Sequence, residues 1–222
     1  MSNQIQKQTF QFLKNLKTNN NREWFADNKV DYELAKENIT GFINHLIENL
    51  AETDPEILKI EGKKAMFRIY RDVRFSLDKT PYKTHFGASL GMGKYNRTSG
   101  YYLHLEPGNS FVAGGVYLPE KENLKKIRKS ISNNPKEFLE IVNDENFKQT
   151  FTELSTEDKL KRIPQGFDKE DKMEDFLKLK SFVVRFPIKD QDFMKAESIE
   201  KIAAILNLMK PLNEFIEMSI KE

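Results

Sequence analysis

Apolar residues keep helical spacing near both ends of this chain and alternate with polar residues between them. Phe10, Leu13 and Leu16 mark a first helix with Thr9 as its cap, and the asparagines at 19–21 break it. Trp24, Phe25, Asn28, Tyr32, Ala35, Ile39, Phe42, Leu46 and Leu50 carry a longer helical pattern to about Glu52, with Gly41 weakening its middle. From Lys64 the period changes to two. Phe67, Ile69, Val73 and Phe75 alternate with polar positions, then Phe86, Ala88, Leu90 and Met92, then Tyr101, Leu103 and Leu105. "EPGN" at 106–109 fits a type II turn, and "SFVAGGVYL" supplies a fourth strand.

Pro119 suits the first position of a helix through Leu124, Ile127 and Ile131, and a further helical piece is expected after Pro135. "SFVVRF" at 181–186 reads as a short strand. The tail returns to helix through Ile199, Ile202, Ile205, Leu206 and Met209, with Pro211 set to break it before "LNEFIEMSI". The pattern predicts a single α+β domain over 1–222: helical over 1–52, an antiparallel meander over 64–117, and mainly helix over 119–222. The sheet is expected to have four to five strands.

At 222 residues a compact fold buries roughly 70% of its unfolded surface, so no staple is required. Cysteine is absent, which removes disulfides, thiolate metal sites and a cysteine nucleophile. "MSNQIQKQTF" has no apolar signal region and no run is long enough to span a bilayer, so a cytoplasmic protein without a membrane partner is expected. A net charge of +2 falls short of the basicity of a dedicated nucleic-acid binder. Its distribution says more: from Lys63 to Arg97 nine Lys or Arg face two Asp, leaving the remainder of the chain at −5. From Glu137 to Asp175 acidic residues outnumber basic ones twelve to six, as on a solvated helical surface.

The positive charge centres on "FRIYRDVRFSLDKTPYKTHF" (67–86). If Phe67, Ile69, Val73 and Phe75 face the core, alternation puts Arg68, Tyr70, Asp72 and Arg74 on the opposite face. The same parity adds His85, Ser89, Tyr102, His104 and Glu106. Arg71 falls on the core side, at a bulge or paired with a carboxylate from a helix. Such a face is either an ordinary hydrated sheet surface or a place to hold planar anions and rings. The loop "SLDKTPYK" brings Lys79, Tyr82 and Lys83 beside it, with Pro81 stiffening the turn. Asp72 and Asp78 could instead pair with these cations and fix the loop.

Other chemistry is weaker. "GASLGMGKYN" lacks the first Gly of a phosphate-binding loop and has Tyr where its Ser or Thr belongs, and "GMGKYN" misses the last Gly of a dinucleotide fingerprint. HExxH is missing. No metal ligands are assigned, because His85 and His104 with Asp72 or Glu106 would form a set only if separate strands align. His45 sits within a helical pattern as a packing or surface residue. Gly114 and Gly115 admit either a ligand or a closely packed helix.

Three stretches, "FLKNLKTNNNREWFADNKVDY", "FRIYRDVRFSLDKTPYKTHFG" and "GYYLHLEPGNSFVAGGVYLPEKENLKKIR", together resemble the signatures of domain of unknown function 2461, a family of bacterial and fungal proteins. "KRIPQGFD" and "LKLKSFVV" also fit, whereas "DKEDK" stands where that family commonly has a His-Pro pair, so no role for that histidine is carried over. The resemblance implies one domain and supplies no activity, cofactor or catalytic residue to carry over.

The leading expectation is a site for a phosphorylated or otherwise anionic, ring-bearing small molecule. Arg68, Arg71, Arg74, Lys79 and Lys83 would supply anion contacts, Tyr82 and Tyr102 ring faces, and His85, His104 or Asp72 proton transfer if chemistry occurs. The alternatives are a module binding nucleic acid or an acidic protein, and a structural protein whose charge network stiffens its sheet.

Overall fold

The computed structural model of the chain describes residues 3–91 and 98–221. In chain order the helices are α1 (Lys7–Thr18), α2 (Arg22–Asp27), α3 (Lys29–Leu50) and α4 (Gly62–Ala65), with a 3₁₀ turn at Pro55–Lys59. Strands β1 (Phe86–Leu90), β2 (Gly100–Leu105) and β3 (Phe111–Val116) follow. Next come α5 (Lys121–Asn133), α6 (Pro135–Asn143), α7 (Glu145–Phe151), α8 (Glu174–Leu177) and β4 (Phe182–Pro187). The chain ends in α9 (Asp190–Phe193), α10 (Ser198–Leu208) and α11 (Lys210–Lys221). The strands form one antiparallel sheet in the order β1-β2-β3-β4, so the fold is α+β as the pattern predicts. No helix among the described residues is long and apolar enough to cross a membrane.

Contacts divide the chain into two compact units. The first comprises Met1–Leu90, Tyr102–Val112 and Pro187–Ala204. Its core is the apolar stripe of α1 against that of α3, where Leu13, Leu16, Ile39, Phe42, Ile43 and Leu46 are fully buried. An aromatic cluster extends it: Phe12 stacks on Trp24 and Phe86, and Phe25 lies flat on Tyr82 with ring centroids 4.0 Å apart. The cap of α1 is Gln6, one turn before the expected Thr9. Asn38 explains the shift, because its side-chain oxygen accepts from both the Gln6 amide and the Thr9 hydroxyl and so satisfies a donor that a local cap would otherwise serve. His45 stays within α3, its Nδ1 2.9 Å from the Gly41 carbonyl.

The second unit comprises Gly91–Tyr101, Ala113–Phe186 and Ile205–Glu222. Phe138 packs on Phe176 and Phe215, with Ile127, Ile131, Leu212 and Ile216 buried around them. Glu217 accepts hydrogen bonds from the Thr98 and Ser99 amides and the Ser99 hydroxyl. Packing accounts for the paired glycines: a Cβ on Gly114 would strike Met209, and one on Gly115 would strike the Phe182 carbonyl. Pro135 begins α6 as expected, and Pro211 lies in the first turn of α11, after the break that separates it from α10. α5 starts two residues beyond Pro119, with Glu120 as its cap. The acidic stretch is helical only in part, because α7 ends at Phe151 and residues 152–173 run as turns and irregular backbone.

The largest correction concerns residues 67–75, expected as the first strand. They form an irregular arm that pairs with the chain returning to β1 through two isolated antiparallel bridges, Met66 with Ala88 and Tyr70 with Tyr82. The hydrogen bonds Phe67 N to Gly87 O, Lys83 N to Ile69 O and Arg71 N to Pro81 O hold the base of the arm. Beyond Arg71 these backbone pairings stop. Of the four residues expected to face the core, only Ile69 is buried, while Phe75 is 97% exposed. Alternation alone cannot make a strand where the side chains satisfy one another and leave nothing to bury.

A second correction follows for the expected hydrated face. Ser89 and His104 are buried, and β1, β2 and β3 bury nearly every residue on both faces. Met92, expected in the second strand, and the glycine-rich turn containing it lie outside the described residues.

Candidate functional site

The residues singled out from the sequence separate into two groups, both within the first unit. The outer group is the tip of the arm. Arg71 donates to Asp78 and to the Thr80 hydroxyl. Its partner comes from the arm itself and not from a helix. Arg74 makes a two-point contact with Asp72, Nε to Oδ1 at 3.0 Å and Nη2 to Oδ2 at 2.6 Å. Lys79 donates to the Val73 carbonyl, and the Thr80 amide donates to Asp78.

The hydrogen bonds from Arg74 hold the exposed Asp72 carboxyl below its ordinary range. The Thr80 amide, helped by Arg71 and the Thr80 hydroxyl, lowers that of Asp78 to about 2. Tyr82 is also committed: it is buried against Phe25, and its backbone amide and carbonyl bind the side chain of Asn20. These side chains therefore serve the arm's own structure.

The inner group lies at the base of the arm and on β2. Tyr102, His104 and Glu106 occupy alternate positions and project to one side, as the period of a strand dictates. The turn that ends β2 follows the predicted chemistry. Asn109 N donates to Glu106 O at 2.9 Å, and Gly108 takes φ +76°, a value that glycine adopts without a side-chain penalty. That turn also lets the Asn109 side chain donate to Glu106 Oε2 at 3.0 Å.

His104 is the centre of the group. Its Nδ1 lies 3.1 Å from the Tyr102 hydroxyl and its Nε2 3.3 Å from Glu106 Oε2. Phe111 of β3 stacks on the ring at 4.6 Å, and His85 stands on another side with ring centroids 4.2 Å apart. Room for the Tyr102 hydroxyl comes from Gly87, where a Cβ would lie 2.6 Å from that oxygen.

Burial, the neighbouring His104 and, more weakly, Lys83 push the His85 imidazole down to about 4 despite the opposing pull of Glu106, so it is neutral at neutral pH. Burial alone would raise Glu106. Hydrogen bonds from Asn109 and His104 and the charges of the imidazoles outweigh it and leave the carboxyl lowered. At the base of the arm, burial and the nearby Arg68 guanidinium lower the Lys83 ammonium, which lies 5.6 Å from the centre of the Phe67 ring. Neither Arg68 nor Lys83 closes an ion pair with a carboxylate among the described residues, although Arg68 feels the charge of Asp72.

The structure thus brings together Arg68, Lys83, His85, Tyr102 and His104, draws Arg71, Asp72, Arg74 and Lys79 into the arm's own bonding, and commits Tyr82 to Phe25 and Asn20. Sequence reasoning missed Asn109 and Phe111 as supporting residues. Asn109 was legible as the last residue of the turn, one hydrogen bond away from Glu106. A family model of conserved hypothetical proteins matches residues 8–215. The chain belongs to the DUF2461 family. No curated protein and no solved structure matches it. Membership in DUF2461 agrees with the resemblance of the three signature stretches, and both the arm and β2 fall inside the matched residues.

Proposed function

We propose that this DUF2461 protein binds a phosphorylated or otherwise anionic small molecule at the base of the arm, with Arg68 and Lys83 as its anion contacts. The supporting observation is electrostatic. Every other cation of the arm named above has a partner within the arm, whereas Arg68 and Lys83 lie close enough to repel each other and close no ion pair among the described residues. An anion between them would relieve that repulsion, and the forked guanidinium suits phosphate or carboxylate oxygens. Tyr102 and His85 supply ring surface beside it.

A second reading, a module that binds nucleic acid, is favoured by one feature. Phe75 is 97% exposed at the tip, with the Arg74 guanidinium 6.0 Å from its ring centre, an arrangement suited to base stacking.

Thermal-shift titration separates the two. Phosphorylated metabolites at millimolar concentration should raise the melting temperature beyond matched sulfate. Arg68→Gln and Lys83→Gln should lose that gain, and Arg74→Gln should keep it. If no phosphorylated compound exceeds sulfate, the small-molecule reading fails. Salt-sensitive binding of single-stranded oligonucleotides, lost with Phe75→Ala, would put the module in its place.

A further inference from the structure

Three groups of the inner cluster have a relation that the anion reading does not use. One ligand atom each from His85, His104 and Glu106 can be chosen so that all lie within 4.8 Å of one another. Two donors bound about 2.1 Å from a tetrahedral ion stand about 3.4 Å apart. His104 Nε2 and Glu106 Oε2 are already 3.3 Å apart. No gap exceeds the ideal edge by more than about 1.4 Å, within the reach of an imidazole rotation.

Each of the two β2 donors is also held from behind. The Tyr102 hydroxyl meets His104 Nδ1, Phe111 fixes the plane of the ring, and Asn109 holds the Glu106 carboxylate. A hydroxyl can accept as well as donate, so Tyr102 suits the tautomer that protonates Nδ1 and frees Nε2 for a metal.

We propose that His85, His104 and Glu106 bind one divalent transition-metal ion. Two imidazoles and a carboxylate favour zinc, cobalt, nickel or iron over magnesium or calcium, which take oxygen ligands. Three protein ligands leave at least one coordination position open, as in catalytic zinc sites. The inference stands independently of anion binding, because neither Arg68 nor Lys83 is a ligand and the ion needs no second molecule.

The test uses the full chain, freed of metal by chelation and titrated with Zn²⁺ and with Co²⁺ alone. Calorimetry should give one ion per chain, and Co²⁺ should develop visible absorption bands. The chain has three histidines, which supply an internal control. In imidazole ¹H–¹⁵N spectra His85 and His104 should shift together with Zn²⁺, while His45, bonded to the Gly41 carbonyl, stays in place.

Glu106→Gln and His85→Gln should weaken binding tenfold or more, and Tyr102→Phe, which removes the hydroxyl beside His104 Nδ1, by about 10- to 100-fold. Absence of binding overturns the proposal, as does binding that leaves His85 and His104 unmoved or that survives both ligand substitutions. Wild-type spectra decide the matter if a variant fails to fold.

Discussion

The tip of the arm and the cluster at its base come from one continuous basic stretch, yet they solve opposite electrostatic problems. At the tip, Asp72 pairs with Arg74 and Asp78 with Arg71, in water and within a few residues of each other. Such pairs need no ligand and contribute little to stability, because solvent screens them and ordering long side chains is costly. At the base, Lys83 is half-buried beside Arg68 and closes no ion pair among the described residues, and burial and the neighbouring His104 hold His85 neutral. Charge density alone therefore does not mark a site. What marks one is charge that the fold has partly desolvated and left uncompensated.

The sharpest way to break this comparison is to disturb the packing of each region. Gly87→Ala puts a methyl group 2.6 Å from the Tyr102 hydroxyl, and Tyr102 cannot swing freely because Phe67, His104 and Phe111 surround its ring. The variant should lose about 1–3 kcal/mol by urea denaturation, the usual cost of overpacking, with the slope unchanged. The His104 imidazole resonances should move with it. Arg74→Gln at the tip should leave the urea midpoint where it is. Equal midpoint losses in both would mean that the arm is as tightly built as the cluster, and the distinction would fail.

A smaller effect with the less common sign is expected at Lys83. Its lowered pKa means that the folded protein disfavours the charge relative to the unfolded chain. For a lysine in this position the penalty is present below the folded value and disappears as pH rises through the unfolded value near 10.4. Lys83→Met keeps the aliphatic stem and removes the charge. It should unfold at an equal or higher urea concentration at pH 7 while losing any response to anionic ligands. A clear fall in midpoint would show that Lys83 holds the fold together and would remove it from the site.

Most of the fold was legible because its elements rest on strong periodic signals: the apolar stripes of α1 and α3, the alternation over β2, and the Pro-Gly turn at 107–108. The stretch 67–75 was misread as a strand because alternation is necessary for a half-buried strand but says nothing about the partner that must bury it. Phe75 keeps the period and is nonetheless exposed. Of the site, parity along β2 aligned Tyr102, His104 and Glu106 correctly. It could not show that this face is buried, or that the His85 ring comes to 4.2 Å from that of His104. Those facts depend on how residues distant in sequence pack. The pairing of Asp72 and Asp78 with neighbouring arginines was legible as an alternative because it is local. Deciding it required knowing that the tip lacks a backbone ladder.

The smallest effect tests the tip alone, through Asp78. With its folded carboxyl near 2 and an unfolded value near 3.9, the group stabilises the folded arm above the unfolded value. That contribution is lost as pH falls through the folded value. Carboxyl ¹³C titration should give Asp78 a midpoint of about 2. Arg71→Gln should raise that midpoint only in part, because the Thr80 amide is the larger influence and the substitution leaves it in place. Amide exchange at Thr80 should stay slow in the variant for the same reason. A midpoint that returns fully to the ordinary aspartate range would mean that Arg71, and not the backbone turn, organises the tip. Arg71 would then hold the arm as a true electrostatic clasp, and the contrast between a self-contained tip and an uncompensated base would rest on one arginine.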